Sequence, residues 1–177
     1  MLRYIAKHPR KAIGGLATIL AAAGLAIGSG ATFSAQSANP ANTFTSGTLL
    51  HTNSANGLAI VTGANLKPGD VRTGEVTITN TGTLNGAFKL SESNDSSSFS
   101  AGSLELSIDD VTVPATPANV YSGDLGQVAA AGIALGDQAA GAARRYRFTV
   151  TLDAAAPNAD QGKSATADYE WTEVPAA

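Results

Sequence analysis

The chain reads as an all-β protein, an antiparallel β-sandwich of jelly-roll or Greek-key type preceded by an N-terminal signal-peptide helix. Three observations predict this. Apolar and polar residues alternate with period two in several separate stretches, as strands with one dry face require. Clusters of Gly, Pro, Asn, Asp and Ser fall between those stretches at short spacing. The composition is turn-rich and lightly charged, with 14% charged and 6% aromatic residues among 177, which suits an exported β protein better than a helical enzyme.

The first 37 residues have the zones of a secretory signal peptide. Arg3, Lys7, Arg10 and Lys11 make a basic start, Ala12 to Gly28 is an uncharged apolar run, and small or polar residues follow. Cleavage is expected between about residues 31 and 38, in preference to retention as a membrane anchor. Residues 38–46 then form a flexible N-terminal segment, and residues 47–177 form the sandwich domain. Within that segment and just after it, Thr43-Phe44-Thr45 is a short strand candidate and Gly47 to Thr52 a better one. Asn53 to Gly57 is a turn cluster, and Leu58-Ala59-Ile60-Val61 reads as a short buried strand.

The central stretch is Leu66 to Leu90. Pro68-Gly69-Asp70 supplies a fixed φ, a residue free to take φ > 0 and a side chain able to bond its own backbone, so a turn is predicted. Val76 and Ile78 alternate with Thr77 and Thr79. Asn80-Thr81-Gly82 breaks this run, and Phe88 and Leu90 resume it beyond Gly86. The two runs are expected to form a strand pair whose dry face a second sheet covers. Ser91 to Ser100 reads as a solvated loop.

Leu104, Leu106 and Ile108 alternate with Glu105, Ser107 and Asp109 in a further one-sided strand. The two prolines of Val111 to Pro117 make it a connection or an edge, and Val120 to Leu125 is ambiguous. Gln127 to Ala143 is Ala/Gly-rich without a long helix, and Gly136-Asp137 resembles a turn ahead of a strand. Tyr146, Phe148, Val150 and Leu152 give the strongest strand pattern in the chain. Asp153 to Gly162 is a loop, after which Ala165, Ala167, Tyr169 and Trp171 mark the last strand. Seven to nine strands result, and the faces of the last two are expected to meet in the core. Their connectivity stays open.

Charge and chemistry narrow the functional classes. The basic residues of the leader depart with it, so the remainder is acidic, which disfavours nucleic acid and anionic membrane as partners. Without cysteine, disulfides and thiolate zinc sites are excluded. Only His51 remains outside the leader, which holds His8; no H-E-x-x-H helix, P-loop or G-x-S-x-G elbow occurs. His51 reads as a strand residue near a surface. Asp109-Asp110, Asp153, Asp160 and Asp168 read as turn-forming carboxylates, with no calcium-loop spacing among them. Arg144, Arg145 and Arg147 form a basic cluster on one strand face, expected to pair with acidic neighbours. No catalytic, cofactor-binding or metal-binding residue is assigned.

The leader ending in Gly30-Ala31-Thr32-Phe33-Ser34, the stretch Asn42 to Leu49, the Leu66 to Asp70 turn, Asn80-Thr81-Gly82 with Leu84, and the late Tyr146 to Leu152 with Gln161-Gly162 share an order and spacing. Together they resemble the TasA/camelysin family of secreted bacterial proteins. The resemblance implies a jelly-roll sandwich, export through a SipW-type signal peptidase, and an extracellular or cell-surface location. For fibre-forming members it implies a structural role in biofilm matrix. It also implies, from camelysin, an alternative: a secreted casein-cleaving metalloendopeptidase.

The leading expectation is a structural subunit that self-associates head-to-tail, with other matrix or cell-wall components as further partners. Asn42, Thr43, Phe44 and Thr45 are the candidate strand-donation segment, because a polar lead-in followed by strand-forming residues directly succeeds the cleavage zone. A monomeric adhesion module binding glycans through Thr/Asn-rich faces is a third reading.

Overall fold

A computed structural model describes residues 45–177. The signal-peptide helix and its cleavage zone lie outside the described residues, as does most of the expected flexible segment. Within the described residues eight strands run β1 (His51–Asn53), β2 (Val71–Asn80), β3 (Gly86–Ser97), β4 (Leu104–Asp110), β5 (Ala118–Asp124), β6 (Ile133–Gln138), β7 (Ala143–Leu152) and β8 (Ala165–Pro175). They form two antiparallel sheets, one ordered β1-β2-β7-β4-β5 and the other β6-β3-β8. The expected all-β sandwich is what the chain builds.

The turn before β2 forms as its residues dictate. Gly69 takes φ 87°, the Asp70 amide donates to the Lys67 carbonyl at 2.9 Å, and the Asp70 carboxylate accepts the Lys67 amide at 3.1 Å. A φ of that sign after proline is the type II geometry that glycine admits without steric cost. From there β2 buries Val76 and Ile78 and turns its threonines outward.

At Asn80 the expectation fails in an informative way. β2 and β3 do not pair with each other: β2 is laddered to β7 and β3 to β6 and β8. Residues 81–85 are a corner between sheets. Asn80 makes it, fully buried, with its Nδ2 donating to the carbonyls of Leu84 and Gln138 at 2.9 and 3.0 Å and its Oδ1 accepting the Gly82 amide at 2.9 Å. Gln138 answers from β6, donating Nε2 to the Ile78 carbonyl at 3.0 Å. A buried amide with its groups paired stabilises where an unpaired one would cost about 1–3 kcal/mol, so this reciprocal lock fixes one sheet on the other.

Other boundaries move for similar reasons. Leu58–Val61 is no strand: Leu58 is exposed, while Ile60 and Val61 are partly buried against the core without a ladder. Ser91 to Ser97 is not a loop but the outer half of β3, paired to β8 across a bulge between Ser93 and Ser96. Gly136-Asp137 lies inside β6, whose register slips opposite Phe88 and Lys89; the turn before β7 falls at Ala140-Gly141. Gly47 to Thr52 pairs only over β1, but the Leu50 carbonyl accepts both the Thr81 and Gly82 amides, so this segment follows the corner as well.

The core is where the two strongest alternations predicted it. Tyr146, Phe148, Val150 and Leu152 of β7 are buried beside Leu104, Leu106 and Ile108 of β4. Phe148 meets Tyr169 of β8 in a tilted arrangement at 4.8 Å and Trp171 edge-on at 6.2 Å between ring centroids, contacts that add to area burial.

Candidate functional site

The five-stranded sheet is wider than the three-stranded one, and the mismatch opens a groove. β8 is bonded to β3 along one edge and, among the described residues, carries no ladder along the other. Facing it, the excursion through residues 54–66 crosses the side of the sandwich without forming a strand. Between them runs a groove of about 960 Å³, with Ile60, Val61 and Leu66 on one wall and Phe99, Tyr169 and Trp171 on the other. Leu58, at 74% exposure, stands among its lining residues. Trp171 is buried, yet its indole Nε1 has no hydrogen-bond partner, an uncommon state for a buried donor.

The excursion holds its place through Gly74. The Ile60 carbonyl comes so close to β2 that a Cβ at Gly74 would lie 1.7 Å from that oxygen. Only a residue with no side chain permits this approach.

Of the candidate strand-donation residues, Asn42, Thr43 and Phe44 lie outside the described residues. Thr45 is exposed and belongs to no strand. His51 sits on β1, as a strand residue near the surface should. Its Nδ1 is 3.3 Å from Glu173 Oε2 on β8, and its ring meets Phe88 edge-on at 5.5 Å.

The basic cluster divides. Arg147 and Arg145 flank Glu75 on the outer face of β2, at 2.9 and 3.7 Å, the acidic pairing expected. Arg144 is not with them. It shares the inward side with Tyr146, by strand alternation, and donates to the carbonyls of Leu135 and Asp137 on β6, closing the end of the sandwich. Burial raises the Tyr146 phenol above its ordinary range against the opposing hydrogen bond and charge of Arg144.

The carboxylates mostly shape turns. Asp110 and Asp153 accept amides two residues on, and Asp168 accepts Asn94 Nδ2 at 3.0 Å. Asp160 does more. It ends the short 3-10 turn Asn158–Asp160 and joins it to the preceding β3–β4 loop, accepting the Ser100 amide and hydroxyl at 3.0 and 2.8 Å. Hydrogen bonding from Ser103, then Ser100, holds its carboxyl below the usual range although burial opposes this. A depressed folded-state value contributes stability that is full above the unfolded carboxylate range and is lost as pH falls through the folded value. Asp160→Asn should therefore lower Tm at neutral pH and show a smaller further fall than the parent between about pH 6 and about pH 3, followed by thermal unfolding.

One acid escaped the sequence reading. Glu92 faces inward from β3, buried, and accepts the Gly126 and Val128 amides at 3.3 and 2.8 Å. It thereby ties the β5–β6 connection to the core. Burial first, and the Glu92 charge second, push the phenols of Tyr169 and Tyr121 upward. Nothing but its place in an alternating run, Phe88, Leu90, Glu92, marks it in the sequence.

Among the described residues no three His, Cys, Asp or Glu side chains come together as a metal site would require. Residues 10–93 match the family described as camelysin metallo-endopeptidase. The match runs from residue 10 through most of β3 and stops short of the late strand motif of β7. No curated protein matches the chain. The metal in the family's description finds no fitting donor set here: within the described part of the matched span the potential side-chain ligands are His51, Asp70, Glu75 and Glu92. Each is engaged elsewhere, with Glu173, the Lys67 amide, the two arginines and two loop amides respectively.

Proposed function

Residues 10–93 being camelysin-family sequence, we propose that the chain is a secreted structural protein of the cell surface or extracellular matrix, a fibre subunit that assembles by donating its N-terminal strand. The observation that carries this reading is the edge of β8, unpaired among the described residues, beside a groove of mixed polarity that carries apolar side chains on both walls. An extended segment laid there adds a fourth strand to the smaller sheet. Its backbone would bond the unpaired edge, and its alternate side chains would meet Ile60, Val61 and Trp171, the two sources of affinity and register in strand addition. A carbonyl or side-chain acceptor on that segment would also satisfy the Trp171 indole. The donor is the segment 38–46 of a neighbouring copy, with Phe44 as its apolar anchor. Each copy gives a strand at one place and receives at another, so the contact is heterologous and propagates into a filament.

Deleting residues 38–46 is expected to abolish fibres of the purified mature chain under the electron microscope while the far-UV spectrum keeps its β character. Fibres formed unchanged by the deleted chain refute strand donation.

The family's description favours a second reading, a secreted metalloendopeptidase. Metal analysis together with a casein digest, with and without chelator, separates the two. Stoichiometric zinc and chelator-sensitive cleavage would establish the peptidase.

A further inference from the structure

We propose that His51 and Glu173 form a pH-operated clasp holding the first strand of the domain onto the opposite sheet. β1 is an edge strand of three residues in the larger sheet, whereas Glu173 belongs to β8 in the smaller one. The 3.3 Å contact therefore bridges the sheets where the chain from the N-terminal segment enters the sandwich. The Glu173 side chain is 3% exposed, against 27% for that of His51. Its Oε2 meets the imidazole, and its Oε1 is buried without a partner. Packing leaves it little freedom, since a Cβ on Gly86 of β3 would lie within 2.2 Å of Oε1.

The other cations at this end are committed or turned away. Arg144 of β7 bonds the carbonyls of Leu135 and Asp137, and Lys89 of β3 is exposed between the inward-facing Phe88 and Leu90. Asp137 of β6 is exposed and Glu170 of β8 lies on its outer side. Among the described residues His51 is the one cationic group within ion-pair distance of Glu173.

A buried carboxylate is tolerated while its partner carries the compensating charge and becomes costly when that charge leaves. Imidazole is the side chain that makes this change near neutrality. With the ring protonated the pair is complete and β1 is held. Without that charge the buried Glu173 carboxylate would have no compensating partner. The lowest-cost relief is for the short edge strand to part from it. The sign follows: the clasp is closed on the acid side of neutrality and loosens on the alkaline side, as long as Glu173 itself is ionised. The seam concerned also controls the freedom of the chain leading into β1. The claim is independent of whether fibres form.

Hydrogen–deuterium exchange of the full mature chain, corrected for the intrinsic pH dependence of exchange, tests it on peptides covering residues 48–53. Between about pH 5.5 and about pH 8 the parent should lose about tenfold in protection over this segment, while β7 is unaffected. His51→Gln, neutral throughout, should show low protection at both values. Glu173→Gln, which removes the buried charge, should be insensitive to pH and better protected than the parent at the higher value. Equal protection of the parent at both values, or the same pH response in Glu173→Gln, overturns the clasp. The glutamate variant keeps the test decisive even where His51→Gln does not fold.

Discussion

Replacing Phe148 by alanine should destabilise the domain by about 3–5 kcal/mol, the range for a fully buried aromatic side chain removed from a core that cannot collapse around the void. Phe148 has no solvent exposure and is the ring on the larger sheet that both Tyr169 and Trp171 of the smaller sheet pack against. Its loss removes apolar burial and two aromatic contacts, one tilted and one edge-on, each worth about 0.5–1.5 kcal/mol. With total stabilities of about 5–15 kcal/mol for single domains, the variant should be partly unfolded at moderate temperature. The chain has no disulfide to limit the effect. Chemical denaturation read by tryptophan fluorescence measures it directly, because Trp171 is the one tryptophan. Phe148→Leu, which retains most of the volume, should cost about 1.5 kcal/mol or less. A loss below about 1 kcal/mol for the alanine variant would mean that the sheets are not held together through this ring.

The second large effect is expected at Gly74. Its Cβ position lies 1.7 Å from the Ile60 oxygen and 2.6 Å from the Ile60 carbonyl carbon, and both are backbone atoms that cannot rotate aside. Valine is favoured in strands, so propensity alone would make Gly74→Val stabilising. The steric conflict should win, at a cost of about 2–3 kcal/mol, with the excursion through residues 58–61 pushed away from β2. Denaturation gives the cost, and amide chemical shifts of Leu58 to Val61 give the displacement. Thr73→Val, one residue earlier and exposed, should stay within about 0.5 kcal/mol. Because Ile60 and Val61 form one wall of the groove, strand donation as proposed above also requires Gly74→Val to impair fibre growth without touching the proposed donor segment.

How much of this was legible in the sequence depended on what each residue faces. Where a strand has one dry and one wet side, as in β4 and β7, alternation located both the strand and its core residues. β6 lacks that contrast. It is an edge strand whose residues are mostly half-exposed or exposed, so no period emerged from its Ala/Gly-rich surroundings. The last four residues of β3, 94–97, are exposed as well, and the outer half of the strand is held in line by the ladder to β8, a long-range cause that local pattern does not carry. Leu58–Val61 errs the other way. Ile60 and Val61 do pack against the core while Leu58 stays exposed, and no neighbour among the described residues offers the backbone a ladder. The corner at Asn80 was recognised as a break, whereas its crossing between sheets depends on Gln138, more than fifty residues away. Of the candidate site, the Pro68-Gly69-Asp70 turn and the Glu75 pairing of Arg145 and Arg147 could be anticipated. The groove could not, since it arises from the unequal widths of two sheets.

That corner has a consequence for the order in which the molecule can be made. Of the first three strands only β1 and β2 pair with each other. The remaining edge of β2 closes on β7, and β3 closes on β6 and β8, so these ladders must wait for strands that come much later in the sequence. Acquisition of structure is thus deferred until β7 and β8 are available, and topologies dominated by such distant pairings complete it on the order of milliseconds to seconds. By the same token β1 to β3 are no autonomous folding unit.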